Sequence, residues 1–177
     1  PPAAHRLPVW VVVLAFAALL VFLALIAWGL RRSSAGSIVR QNVPPFTLQT
    51  FEGDVIHTSD HAGKVILVNF WASWCKPCEE EAAELQQAWQ YYQPGGQVVF
   101  LGVDYVDTEP EAKRYLEQFG IAYPNGPDLR TEISQMFRIT GVPETYIIGR
   151  DGRLKYVKKG VFNSVSEIQS VVDAYLE

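Results

Sequence analysis

Cys75 and Cys78 are the only cysteines among 177 residues, and Lys76 and Pro77 stand between them. Two thiols at this spacing can close a disulfide or share a metal, and in either role the thiolate is the reactive form. The run Phe70-Trp71-Ala72-Ser73-Trp74 carries the chain out of an apolar, β-branched segment, and a helical pattern follows. The pair therefore stands where a strand gives way to a helix. Unpaired N–H groups and the helix dipole favour a thiolate at that point. Pro77 suits a first helical turn, where its missing N–H costs nothing. This placement reads Cys75 as the exposed attacking thiol and Cys78 as the buried thiol that resolves a mixed disulfide.

Other chemistry can be drawn from the same residues. His57-x3-His61 with Cys75-x2-Cys78 supplies four zinc ligands of acceptable type. A domain of this size needs no structural metal, and the strand–helix setting is the redox one, so no metal is assigned. Covalent haem attachment requires a histidine directly after the second cysteine, and Glu79 stands there. With no third cysteine the chain is not a disulfide-stapled scaffold. A net charge of −4 without a basic run argues against a nucleic-acid partner.

The elements that must position this pair are legible from periodicity. Phe46–Thr50 and Val55–Thr58 flank Glu52-Gly53-Asp54 as a small hairpin. Val65–Phe70 and Val98–Val103 read as strands buried on both faces. Between them a helix runs from Cys75 to Tyr92, with Ala82, Leu85, Trp89 and Tyr92 on one stripe. Thr108-x-x-Glu111 reads as a capping box for a helix bearing Ala112, Tyr115, Leu116 and Phe119, which Gly120 stops. Glu132–Phe137 is a shorter helix. Thr145–Ile148 and Leu154–Val161 pair across Arg150-Asp151-Gly152-Arg153. Ser164-x-x-Glu167 opens a last helix with Val165, Ile168, Val172 and Tyr175 inward. That order describes an α/β domain over 46–177, a central mixed β-sheet flanked by helices.

Upstream, residues 1–8 form a flank and Val9–Leu30 carries no charged or strongly polar side chain. At ~1.5 Å per residue it extends about 33 Å, enough for a hydrocarbon core of roughly 30 Å. Trp10 and Trp28 lie near its ends, where indoles favour the interface. A signal peptide's apolar region is shorter, about 7–15 residues, so residues 9–30 read as one transmembrane anchor. Residues 31–45, rich in Ser, Gly and Pro, read as a tether.

The lead-in Val-Asn-Phe-Trp-Ala-x-Trp-Cys-x-Pro-Cys, the Phe-Thr-Leu…Gly entry and Gly-Val-Pro-Glu-Thr together resemble the thioredoxin superfamily. More narrowly they resemble its membrane-anchored TlpA/ResA/CcmG-type thiol–disulfide oxidoreductases, linked to cytochrome c maturation. The resemblance covers Pro45 to Glu177. It implies a thioredoxin-like fold, a redox-active Cys75–Cys78 disulfide with no other cofactor, and support from Trp74, Lys76 and Pro77. It also implies a cis Val142–Pro143 bond facing the cysteines, with Val142 offering backbone hydrogen bonds to the substrate chain and Val142, Pro143 and Glu144 as the substrate-binding residues.

Glu144 matches the cytochrome-maturation branch; read without the resemblance, it is a solvated charge at a strand start. Glu81 lies three residues after Cys78 on the inward stripe, where desolvation raises a carboxyl pKa, and the resemblance gives it proton handling. Asn69 stands where thioredoxin proper has a buried aspartate. Asparagine cannot act as a base, so that duty falls to Glu81 or water. Ala72 stands where the peroxidase branch has the threonine of Thr-x-x-Cys, which argues against a peroxidase.

The expected activity is reduction of disulfides in extracytoplasmic client proteins, apocytochrome c among them, with a membrane dithiol as electron donor. The alternatives are a redox-labile binding module or haem-pathway adaptor, and a thiol oxidase or isomerase of the same fold. The flanking charges disagree with the location. Arg31, Arg32 and Arg40 follow the span while Arg6 and His5 precede it, and the positive-inside rule would place the domain in the cytoplasm.

Overall fold

The computed structural model describes residues 8–34 and 42–176. The flank 1–7, residues 35–41 of the tether and Glu177 lie outside the described residues. The chain divides into two compact units, Pro1–Ile38 and Val39–Glu177.

In the first unit, helix α1 spans Val9–Ser34, so the expected apolar segment is helical throughout. Its described side chains, Val13 to Ile26 without a break, are apolar and exposed. That run rises only about 21 Å; among the described residues no helix is long and apolar enough to cross a membrane. The side chain of Trp28 and those of Arg31 and Arg32 lie outside the described part.

In the second unit, strands β1 (Thr47–Gln49) and β2 (Val55–His57) form the expected antiparallel hairpin. There follow β3 (Val65–Trp71), α2 (Lys76–Tyr92), β4 (Val98–Asp104), α3 (Glu109–Phe119), β5 (Asn125–Pro127), α4 (Glu132–Phe137), β6 (Glu144–Ile148), β7 (Leu154–Lys159) and α5 (Val165–Asp173). Five strands make one sheet in the order β5-β4-β3-β6-β7, with β3, β4 and β5 parallel and β6 and β7 antiparallel. This is the mixed sheet of a thioredoxin-like fold.

Alternation along β3 sorts the two layers. Val65 and Leu67 join Leu85, Ala88, Phe100, Ile168 and Val172 in one cluster, and Trp71 joins Ala112, Tyr115 and Leu116 in another. Helices α2, α3 and α5 therefore cover one face. On the other, Phe70 meets Phe137 of α4 and Tyr146, and Phe137 also meets Phe46. β3 is buried at every residue, so it is fixed from both sides and delivers the cysteines from a rigid base.

Two local readings are corrected. The capping box at Thr108 does not form: Thr108 is the N-cap, but its hydroxyl makes no cap bond. Pro110 offers no N–H, Asp107 Oδ1 takes the Thr108 N–H at 2.7 Å, and Glu111 pairs with Arg114. At α5 the expected cap does form: the Ser164 hydroxyl accepts from Glu167 N–H at 3.2 Å, and the Glu167 carboxylate takes the Asn163 N–H. The last strand ends at Lys159 because Gly160 takes a left-handed φ of 87°. The sequence reading also omitted β5, since Asn125-Gly126-Pro127 looks like a turn. It is an edge strand of three residues, a place that tolerates proline.

Candidate active site

Cys75 is the N-cap of α2, in extended conformation, and its sulfur accepts from Cys78 N–H at 3.2 Å. The two sulfurs are joined in a disulfide with Cα atoms 5.3 Å apart. The strand-to-helix placement thus stands, but one expectation does not. Cys75 is 3% exposed and Cys78 1%, because Trp71, Ala72, Ala82 and the half-buried Val142 pack around both. Exposure does not separate the cysteines in the disulfide form. Position does: only Cys75 sits at the helix terminus, with an amide N–H aimed at its sulfur.

The supporting residues divide. Pro77 lies within the first turn. The exposed Lys76 pairs with Glu79, which spends its charge away from the sulfur. Trp74 is 60% exposed, and its indole donates to Val106 O at 3.2 Å. His57 bonds Thr47 on the hairpin and the two cysteines bond each other; among the described residues no three His, Cys, Asp or Glu side chains gather as metal ligands.

One turn beyond Cys78, Glu81 is fully buried against β3. Asn69 Nδ2 donates to its Oε1 at 2.9 Å and also to Thr145 Oγ1 at 3.0 Å. The backbone N–H of Phe162 donates to the other oxygen at 2.9 Å. Burial pushes the Glu81 carboxyl up to about 7, and these two donors and Lys158 hold it from rising further. Asn69 therefore serves as a donor that fixes a group able to carry a proton near neutrality, one turn behind Cys78.

The Val142–Pro143 bond is cis. Pro143 O accepts from Gly160 N–H at 2.9 Å, tying the loop to the end of β7. Glu144 is not the solvated charge that its position suggested. It is buried, with Thr140 N–H, Thr140 hydroxyl and Tyr146 hydroxyl on its oxygens at 3.0, 2.5 and 2.5 Å, and Lys159 Nζ at 3.5 Å. Those donors pull its pKa below the usual carboxylate range against the opposing effect of burial. Its carboxylate fastens the loop that carries Pro143; a direct contact with a client would require those bonds to open.

Sequence reasoning missed the groups on the β4 side. Ser73 N–H donates to Asp107 Oδ2 at 2.6 Å, and the Trp71 indole donates to Asn125 Oδ1 at 2.8 Å. Gly102 makes the second bond possible, since a Cβ there would lie 1.6 Å from that oxygen. A signal was available for one more residue, Asp104, a carboxylate ending the apolar run VVFLGVD.

The chain matches the AhpC/TSA family over residues 39–157. The thiol-disulfide oxidoreductase ResA of Geobacillus thermodenitrificans is 30% identical over 122 residues, which is 69% of this chain and 70% of that one. ResA of Bacillus cereus (strain ATCC 10987) is 29% identical with the same coverage. Among solved structures, a thioredoxin-family thiol:disulfide interchange protein from Chlorobium tepidum superposes with a TM-score of 0.72 at 27% identity, covering 78% of this chain and 97% of that one. A secreted Mycobacterium tuberculosis disulfide oxidoreductase homologous to DsbE, 22% identical with a TM-score of 0.65, covers 73% and 95% and shares the fold.

Proposed function

The chain belongs to the AhpC/TSA family, and we propose that this thiol–disulfide oxidoreductase reduces disulfides of client proteins outside the cytoplasm, from a membrane anchor. One observation carries the reading: a disulfide cysteine caps α2 while a buried carboxyl, neutral to near pH 7, sits one turn behind its partner. The redox group is the dithiol itself.

In the reduced state the Cys75 thiolate attacks one client sulfur. A new S–S bond forms, and the other client sulfur leaves as a thiolate that takes a proton from water. The Val142–Pro143 loop, packed against the cysteine cluster, offers backbone to the client chain. Glu81, as carboxylate, accepts the proton of the Cys78 thiol. Cys78 then attacks the Cys75 sulfur, closes the internal disulfide and expels the second client sulfur. Two electrons have passed to the client, and a membrane dithiol donor returns them by the same exchange.

The direction follows from charge. A strong oxidant needs its dithiol form stabilised, usually through a very low thiolate pKa. Lys76 is paired with Glu79, and Glu84 and, once ionised above about 7, Glu81 lie on the following turns, where negative charge raises a neighbouring thiol's pKa. The reduction potential should lie nearer roughly −270 mV than the roughly −120 mV of a strong oxidant. Equilibration with glutathione and with thioredoxin measures it, and a value above about −180 mV would make the chain an isomerase or oxidant.

Residues 9–30 are the anchor of this reading, supported by the uninterrupted apolar sequence within α1. Apocytochrome c is the client class to which the family resemblance points. The cysteines supply a clean reporter of topology because there are only two. After mild reduction of intact cells, a thiol reagent that cannot cross membranes should label the chain. Labelling confined to permeabilised cells would put the domain in the cytoplasm, as the flanking arginines suggest.

A further inference from the structure

The exchange derived above leaves one buried acid without a role. Asp104 closes β4 opposite Trp71 in the parallel ladder, at the same end of the sheet as the cysteines. It is 1% exposed, and neither carboxyl oxygen has a hydrogen-bond partner among the described residues. An ionised carboxyl buried without donors is so costly that the group becomes neutral instead.

The loop that leaves β4 grips the approach to Cys75 at three points. Tyr105 N–H donates to Trp71 O at 2.8 Å. Val106 O takes the Trp74 indole, and Asp107 takes the Ser73 N–H. Val106 holds a left-handed φ of 49°, which a β-branched residue rarely adopts. Its neighbours impose that conformation, and such imposed strain is characteristic of functional loops.

We propose that Asp104 is a positioning residue for disulfide exchange: as a neutral acid beside Asp107 it lets this loop close on Ser73 and Trp74, and its ionisation loosens the loop and the cysteine lead-in. Released, the proton goes to solvent and leaves two like charges together at the base of the loop.

Among the described residues no cation compensates Asp104. Burial, then the negative charge of Asp107 and the hydrogen bond that a protonated Asp104 can donate to it, push Asp104 up to about 8. From α3, Tyr115 stacks on Trp71, and burial pushes its phenol far up, so it stays protonated. From the loop after β5, Asp128 donates its N–H to Asp104 O but turns its carboxylate to Ile133 N–H, Ser134 N–H and the Ser134 hydroxyl. From α2, Glu81 is engaged with Asn69 and Phe162.

The inference rests on the oxidoreductase reading only for its effect on exchange; the titration can be seen without turnover. In the oxidised full chain the cysteines do not titrate, so infrared spectra can follow protonated carboxyls from about pH 6 to about pH 10 while tryptophan emission is recorded. One carboxyl should ionise near 7 and vanish in Glu81→Gln. A second should ionise near 8, with a change in emission, and both signals should vanish in Asp104→Asn. Asp107→Asn should move that second transition to lower pH, because the repulsion is gone. An Asp104 that is already ionised at pH 6, or an alkaline emission change that survives in Asp104→Asn, would overturn the proposal. In exchange assays the wild type should lose rate relative to Asp104→Asn as pH rises past 8. If neither chain exchanges disulfides at any pH, the oxidoreductase reading fails while the titration still decides whether Asp104 sets the loop.

Discussion

Cys75→Ser should abolish disulfide exchange, and Cys78→Ser should leave the chain covalently attached to its clients. Removing a covalent nucleophile costs on the order of 10³-fold or more, and no other thiol exists in this chain to replace it. The asymmetry rests on where the sulfurs sit. Cys75 is the N-cap, and its sulfur already accepts the Cys78 N–H, an interaction that strengthens when the sulfur carries charge. Cys78 lies inside the first turn, and among the described residues no such donor meets its sulfur. Cys75 should therefore be the more acidic thiol and the first to react with client or alkylating agent. Without Cys78 the mixed disulfide has no internal thiol to resolve it and should be visible on non-reducing gels. A mixed disulfide that accumulates in Cys75→Ser but not in Cys78→Ser would reverse the two roles.

What the sequence disclosed, it disclosed through local pattern. The run VILVNF is apolar at both parities, and β3 is buried on both faces. Cys75 was legible as a helix start because a β-branched run and a helical stripe meet there. Glu81 was legible because it interrupts that stripe. Its raised pKa follows from burial alone, but the donors that temper it do not: Phe162 lies 81 residues downstream, beyond any periodicity argument. Of the two readings of Glu144, the solvated charge fails on partners close in sequence, since Thr140 and Tyr146 surround it only once β6 and its preceding loop have folded. The capping box at Thr108 failed through a neighbour, because Asp107 takes the Thr108 N–H that the Glu111 carboxylate would have to accept. Asp104 carried a signal, a carboxylate closing an apolar run. Its meaning required knowing that β4 ends beside Trp71.

Glu81→Gln tests the buried carboxyl in two independent readouts. In exchange, Glu81 takes the Cys78 proton only as carboxylate, so the wild-type rate of resolution should fall as pH drops through about 7. Glutamine has nearly the same shape and cannot accept that proton. The variant should lose the inflection and resolve mixed disulfides more slowly above neutrality, by about 10²-fold or more if the proton transfer limits the step. Stability gives the second readout, with a definite sign. Folded Glu81 holds its proton up to about 7, whereas the unfolded group releases it near 4.5. Between those values the folded chain binds the extra proton, so unfolding free energy decreases as pH rises through the window. The total is about 3 kcal/mol, complete once pH exceeds the folded value. The glutamine variant should show a flatter profile there, and its two donors meet one oxygen and one amide, which leaves Asn69 or Phe162 N–H unmatched at about 1–3 kcal/mol. The gain and the loss oppose each other above pH 7, so the slope, not the absolute stability, is the diagnostic. Denaturant titrations of the oxidised chain at closely spaced pH values give that slope without interference from thiol ionisation. A wild-type slope that Glu81→Gln leaves in place would show that another group binds the proton, and Glu81 would then be no more than a charge in the first turns of α2.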